Sequence, residues 1–272
     1  MPIPLSARYP TAFVTGASSG LGQAFADMLL AEGVEVWGTS RDAARLTARP
    51  RFHPVALELS DGPAAERIFR TCDEAAGGFA VVVNNAGCGV FGGFAETEFS
   101  HWQNQLEVML VNTARLSHAA LQSMRARGRG ALVNISSLAA EFSLPYQSAY
   151  NMVKSGLSAL NESLMYEVAG TGVIVIDFRP GDYCTNSENA VVHPNQKSTD
   201  PRAARVWEVF ARTMQAAPPP VHAAASLRRA LARGRSGTVR TGSFFQARVA
   251  PFLARFGSLS LKRRVQSGYF GL

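Results

Sequence analysis

An apolar run, Ala12-Phe13-Val14, leads into Thr15-Gly-Ala-Ser-Ser-Gly-Leu-Gly22, and the helix-compatible stretch 23–32 follows at once. Glycines at 16, 20 and 22 permit a tight turn and close backbone approach. The helix N-terminus behind them, with Ser18, Ser19 and Leu21 in the turn, offers N–H groups to a phosphate. A strand, a glycine turn and a helix in that order make the first βα unit of a parallel sheet. In such sheets ligands gather at the carboxyl ends of the strands. The same rhythm continues: runs 34–38, 55–59, 79–83, 131–135 and 173–178 read as further strands, with helices over 62–76, 102–126 and 148–169 between them. A last helix near 221–232 and a short strand near 238–241 complete the pattern.

Ser137 lies just past the carboxyl end of the strand 131–135. Tyr150 and Lys154, four residues apart, share one face of the helix that follows. An ammonium about 4 Å from a phenol is worth up to about 4 kcal/mol at an effective dielectric near 20. That corresponds to roughly 3 pK units, drawing the phenol from about 10 towards 7. Ser137 would hold a substrate oxygen while Tyr150 protonates it.

The glycine turn placed upstream of Ser137-(x)12-Tyr150-x-x-x-Lys154 resembles the short-chain dehydrogenase/reductase family, over roughly residues 10–186. The resemblance implies an α/β fold, a doubly wound, mainly parallel seven-stranded sheet of Rossmann-like type in one domain spanning 1–272. It also implies that Lys154 lowers the Tyr150 pKa and grips the cofactor ribose. Asn84-Asn85-Ala86-Gly87 matches the family's central-strand motif, in which Asn85 stabilises the sheet and Ala86 and Gly87 lie against the cofactor. Pro180-Gly181-x-x-x-Thr185 resembles the segment over the nicotinamide carboxamide. Glu58 stands where the family usually has an Asp that binds the adenine amino group, with Leu59 beside it.

The strand 34–38 ends in Thr39-Ser40-Arg41. An acid there would accept the 2′-hydroxyl of NAD; the first ionisable residue is instead Arg41, whose guanidinium suits a 2′-phosphate. NADP(H) is therefore the expected cofactor, with Asp42 as a mild counter-argument. The long helix departs from the family: counting back from Arg115-Leu-Ser-His-Ala-Ala-Leu121, the usual fourth catalytic residue, an Asn, aligns with Met109. Asn112, one helical turn on, is the candidate substitute; the alternatives are another relay route, a slow enzyme, or plain packing at both positions. A thioether is only a weak acceptor.

At 272 residues the chain fits one domain, and 47% hydrophobic with 17% charged residues suits a globular protein. Cys72, Cys88 and Cys184, odd in number and widely spaced, suggest neither a disulfide framework nor a zinc site, so no metal is expected. No signal peptide and no run of about 18 apolar residues is evident. A cytoplasmic location, with membrane association as an option, is the expectation. Residues 186–220 correspond to the family's substrate lid, and Leu138, Phe142, Tyr146 and Tyr183 are candidate pocket walls.

The net charge of +7 is uneven, because nothing acidic follows Glu208. In the basic extension 243–272, Phe245, Val249, Phe252, Leu253 and Phe256 fall on one helical stripe with Arg248 and Arg255 at its edge. Pro251 is expected to kink or break that helix. The extension either packs over the pocket or a subunit neighbour, or docks on an acidic acyl carrier protein or a membrane. Nucleic acid is not expected, for no reading helix or base-stacking motif accompanies the charge. The family commonly forms homodimers or homotetramers. The resulting expectation is an NADP(H)-dependent oxidoreductase that reduces a ketone on an apolar, acyl-chain or polyketide-like substrate. The rivals are a same-fold enzyme of isomerisation, dehydration or cyclisation, and an NADP-sensing binding protein.

Overall fold

The computed structural model describes residues 3–185, 191–194, 200–254 and 256–272. Its strands are β1 (Thr11–Val14), β2 (Glu35–Ser40), β3 (Phe52–Ala56), β4 (Val81–Asn84), β5 (Gly89–Val90), β6 (Gly130–Ile135), β7 (Val173–Pro180), β8 (Val191–Val192) and β9 (Gly237–Thr241). Seven of them form one parallel sheet in the order β3-β2-β1-β4-β6-β7-β9, and the two-residue β5 and β8 pair separately. The chain winds outward from β1 to β3, returns to β4, and continues to β9. The strand order therefore reverses between β1 and β4, where a crevice opens at the carboxyl ends.

Both faces of the central strands β1, β4 and β6 are buried, so these read as mainly apolar runs. Alternate residues of one strand serve opposite cores. Ala12, Val14, Val81, Val83, Ala131 and Val133 join Phe25 and Leu29 of α1 (Gly20–Ala31) and Leu227 and Leu231 of α7 (Val221–Arg233). Phe13, Val82 and Leu132 face the other way, onto Phe69 of α2 (Gly62–Ala75) and Leu116 and Met124 of α4 (Asn112–Arg127). The Phe13 and Phe69 rings meet edge to face at 5.1 Å.

Three elements differ from the sequence pattern. The third strand runs from Phe52 to Ala56 rather than over 55–59, so Glu58 and Leu59 lie in the loop beyond it. Pro54 is tolerated inside because β3 is an edge strand with one unpaired side. The helix expected over 102–126 begins earlier, as α3 (Phe99–Leu106), and passes through a π-turn at Glu107–Val111 before α4. Near the C-terminus, Pro251 does not break its helix. A π-turn at Phe245–Val249 leads directly into α8 (Ala250–Ala254), and the wider turn accommodates a ring that would otherwise meet the carbonyl four residues back.

The catalytic-region helix α5 covers Ser148–Glu167, and α6 covers Pro201–Gln215. A final helix, α9 (Leu259–Phe270), packs Phe270 against Ala203 and Val206 of α6. Residues 186–190 and 195–199 of the expected lid, and Arg255, lie outside the described residues. Among the described residues no helix is long and apolar enough to cross a membrane.

Candidate active site

The crevice floor is built from Thr15. Its hydroxyl accepts from the backbone N–H groups of Asn85 (2.8 Å) and Ala86 (2.9 Å), which stitches the end of β1 to the motif after β4. The Asn85 amide donates back to the carbonyls of Thr15 (3.0 Å) and Gly16 (3.4 Å). Gly16 has φ +68°, a left-handed conformation that disfavours a side chain, and a Cβ on Gly22 would collide with the Gly16 carbonyl. α1 starts at Gly20 with Ser19 extended before it and no side chain capping its first turn. The N–H groups of Gly20, Leu21 and Gly22 therefore face the crevice as anion donors, the arrangement a dinucleotide pyrophosphate requires. Thr185 closes over this end: its Cβ and methyl lie 3.4 Å from where a Cβ on Gly20 would sit. Ser18 is half-buried in the turn. At the opposite wall Pro180 ends β7, and Gly181 N–H donates to the Thr241 carbonyl at 2.6 Å.

Arg41 follows the last residue of β2, is exposed, and makes no hydrogen bond or ion pair among the described residues. Asp42 forms no ion pair with it; its carboxylate turns instead to Ala44 N–H at 2.9 Å. Glu58 is exposed and folds back onto Ser60 N–H at 3.0 Å, which occupies one oxygen of the expected adenine acceptor. Leu59 is buried.

Around the sheet's centre the chemistry converges. The Lys154 ammonium, 5% exposed, donates to the Ile135 carbonyl at 2.7 Å and stands 5.4 Å from the centroid of the Tyr150 ring. Ser137, just beyond Ile135, accepts from Ala139 N–H at 3.0 Å and donates to the Pro180 carbonyl at 3.4 Å. Burial lowers the Lys154 pKa to about 8, against the opposing pull of Asp177 and then of Cys88. Burial also raises the Tyr150 phenol above its ordinary value. The Ser137 hydroxyl draws it down and the Asp182 carboxylate pushes it up. The expected net depression of the phenol by Lys154 is thus corrected. One apolar enclosure penalises phenolate and ammonium alike, and desolvation is the larger effect on both.

Behind these residues stands a polar network that the sequence reading missed. Asp177 on β7 accepts from Ser136, from Ser158 (2.6 Å), from Asn161 (3.1 Å) and from Arg179 (2.7 Å). Asn161 in turn accepts from Asn134 (2.7 Å), and Asn134 from Asn84 (2.8 Å). The network ties β4, β6, β7 and α5 together and fixes the end of β6 that leads into Ser137. Its signal was available as polar residues interrupting otherwise apolar strands.

The π-turn decides the helix that carries Met109 and Asn112. Met109 is buried in a cluster with Val153 and Leu157, against which Tyr150 packs, and its sulfur accepts from Cys88 N–H at 3.3 Å. Asn112 turns the other way, donating to the Leu59 carbonyl at 2.8 Å, and a Cβ on Gly62 would strike its side-chain oxygen. The structure therefore does not bring Asn112 to Tyr150 and Lys154. Gln105, one turn before Met109 and fully buried, was also missed. Its amide donates to the Cys88 carbonyl at 2.9 Å, while its side-chain oxygen has no partner among the described residues.

An aromatic wall stands beside the helix start of α5. Phe91 lies 5.7 Å from Tyr146 and 5.1 Å from Trp207 of α6, and His193 stacks edge-on to Trp207 at 4.1 Å. Burial lowers the His193 pKa, which favours the neutral ring. Tyr146, with φ 58°, is held by its hydroxyl bond to Asp200 at 2.8 Å, which ties the start of α6 to the catalytic loop. Leu138 is buried 3.1 Å from where a Cβ on Gly181 would sit, and Phe142 lies beneath Lys262. Tyr183, expected as a pocket wall, is instead core: it is buried with its hydroxyl on Thr241 at 2.6 Å.

The family profile of the short chain dehydrogenases matches residues 10–196. An oxidoreductase of Myxococcus xanthus, named as uncharacterized, is 35% identical over 181 residues, covering 64% of this chain and 72% of its own. A 3-oxoacyl acyl-carrier-protein reductase of Vibrio cholerae is 28% identical over 193 residues, covering 69% and 79% respectively. A solved short-chain dehydrogenase structure from Streptomyces avermitilis matches with a TM-score of 0.80 at 31% identity, over 95% of this chain and 97% of that one.

Proposed function

Because this chain belongs to the short chain dehydrogenase family, we propose that it is an NADP(H)-dependent oxidoreductase that reduces a ketone on an apolar substrate. The observation that carries the reading is the convergence of Ser137, Tyr150 and Lys154 at the carboxyl end of the sheet, where α1 also begins without a capping side chain. The glycine turn and α1 would hold the pyrophosphate, Arg41 the 2′-phosphate, and Lys154 the nicotinamide ribose. When bound, the nicotinamide supplies the hydride to the carbonyl carbon.

The chain's own groups do the rest. Ser137 positions the carbonyl oxygen, and its hydroxyl is already oriented by Ala139 and Pro180. Tyr150 gives its proton to that oxygen as the new alcohol forms. A phenol whose pKa is raised stays protonated at neutral pH, which suits a donor. Lys154, held to the Ile135 carbonyl, stabilises the phenolate left behind through its nearby charge. Phe91, Tyr146 and Trp207 keep water from the site and favour an apolar chain over a sugar. The free guanidinium of Arg41 supports NADP(H) over NAD(H).

The test is the absorbance of NADPH against a panel of apolar and polar ketones. Consumption with the apolar members supports the reading. Product formed without consumption would replace it with an isomerase, dehydratase or cyclase, and binding alone would make the protein a cofactor sensor.

A further inference from the structure

From Ser243 onward the usual distribution of apolar and polar groups is inverted. Ten of the eighteen large hydrophobic side chains exposed among the described residues lie in this segment. Phe245 is 59% exposed, Phe252 60% and Phe256 78%. Phe252 and Phe256 touch each other at 5.3 Å between ring centroids. On α9, Leu261, Val265 and Tyr269 are spaced by four and form an exposed stripe opposite the buried Phe270, with Arg264 at its border. The two surfaces are continuous: Leu261 Cδ2 lies 3.6 Å from where a Cβ on Gly257 would sit, as does the Leu253 carbonyl. A patch of this kind on a folded chain marks an interaction surface.

The patch is also fixed in place. Gln246 accepts from Asp182 N–H at 3.3 Å and donates to the Asp182 carboxylate. Lys262 donates to the Glu141 carbonyl, and Gln266 to that of Ser143 at 3.0 Å. These anchors seat the segment on the loop that follows Ser137 and on the turn after β7.

Charge selects the partner. Between Ser226 and Leu272 there are ten Lys and Arg residues and no Asp or Glu, and Arg248, Arg263 and Arg264 are exposed around the apolar side chains. A second copy docked through the same surface would set identical cationic faces against each other. An acidic carrier protein would match the charge but has no use for so broad an apolar area. Exposed phenylalanines and leucines bordered by arginines suit the boundary of a bilayer, where rings and aliphatic chains enter the acyl region and guanidinium groups meet phosphates. We propose that residues 244–253 and 256–272 dock on an anionic phospholipid surface. Docked, the segment holds the loop after Ser137 and the turn after β7 close to the membrane, which shortens the path of an apolar ketone dissolved there to Tyr150.

The proposal goes beyond the catalytic reading, and vesicle binding is read without turnover, so either can fail alone. The experiment is sedimentation of the full chain with vesicles of phosphatidylcholine, and of phosphatidylcholine with phosphatidylglycerol, at low and high salt. Binding to the anionic vesicles only is expected, fading as salt shortens the reach of charge below the roughly 8 Å of physiological ionic strength. Arg263→Gln with Arg264→Gln should weaken partitioning about fivefold per arginine. Phe252→Ser with Phe256→Ser should weaken it by at least about tenfold. All four side chains are exposed, so folding and turnover of a water-soluble ketone should be unchanged in both variants. Four results would overturn the proposal: no sedimentation with anionic vesicles at low salt, binding by both double variants equal to the parent's, capture by an acidic carrier protein in place of vesicles, or self-association abolished by the same variants without vesicle binding.

Discussion

Around Lys154 charged and polar groups sit inside the protein, held by partners such as the Ile135 carbonyl and Asp177; after Ser243 apolar side chains stand in solvent among arginines. Each arrangement runs against the ordinary preference for where such groups lie. In the crevice the cost of burying polarity is offset within the chain by hydrogen bonds between named residues. In the tail the cost of exposing apolar area is offset by nothing in the chain. Polar groups satisfied internally serve chemistry on something small that enters, whereas apolar groups left unsatisfied point to something large that stays outside.

The sharpest way to break this contrast is at Lys154. Lys154→Ala should impair both NADPH binding and turnover, with a loss in rate of about a hundredfold or more, because one ammonium holds the cofactor and stabilises the phenolate. Equilibrium binding and single-turnover rate, measured together, check it. Arg41→Ala should weaken NADPH binding about ten- to a hundredfold and leave NADH nearly unchanged, since a charge-assisted bond is worth about 1.5–3 kcal/mol. Equal affinities for the two cofactors in the parent would remove Arg41 from the account.

A smaller effect is expected from pH. Lys154 titrates at about 8, depressed by burial, so its cationic form is present below that value and is lost as pH rises through it. The reductive rate should therefore fall on the alkaline side near pH 8, and a profile flat to pH 10 would contradict the assignment. Smaller again are the effects on the π-turn. Asn112→Ala removes the bond to Leu59 and should destabilise the fold by about 1–3 kcal/mol without changing the turnover of the folded enzyme. Met109→Asn, which restores an amide where the thioether meets Cys88, should leave turnover intact or raise it. Denaturant unfolding and steady-state rates separate these outcomes.

How far each region was legible follows from the same contrast. Gly16, Gly22, Ser137, Tyr150 and Lys154 stood out because a tight turn and a shared helix face demand those residue types at those spacings. The parallel sheet was readable because alternate residues of one strand, such as Phe13 and Val14, serve opposite cores and leave an unbroken apolar run. The network around Asp177 left a trace only as polar residues within apolar strands; which of them meet was not readable, because they come from β4, β6, β7 and α5, and only the folded sheet brings them together. The direction of Asn112 depended on a π-turn, whose extra residue leaves no mark in the hydrophobic periodicity. The Tyr150 pKa was misjudged because charge proximity can be counted from spacing and desolvation cannot.

The most direct test of the account is Tyr150→Phe, which keeps the ring and removes only the hydroxyl. NADPH titration and the hydride-transfer rate would be measured on the same preparation. The account predicts unchanged NADPH affinity with a rate lower by about a hundred- to ten-thousandfold. Near-parental turnover of an apolar ketone by Tyr150→Phe would contradict it.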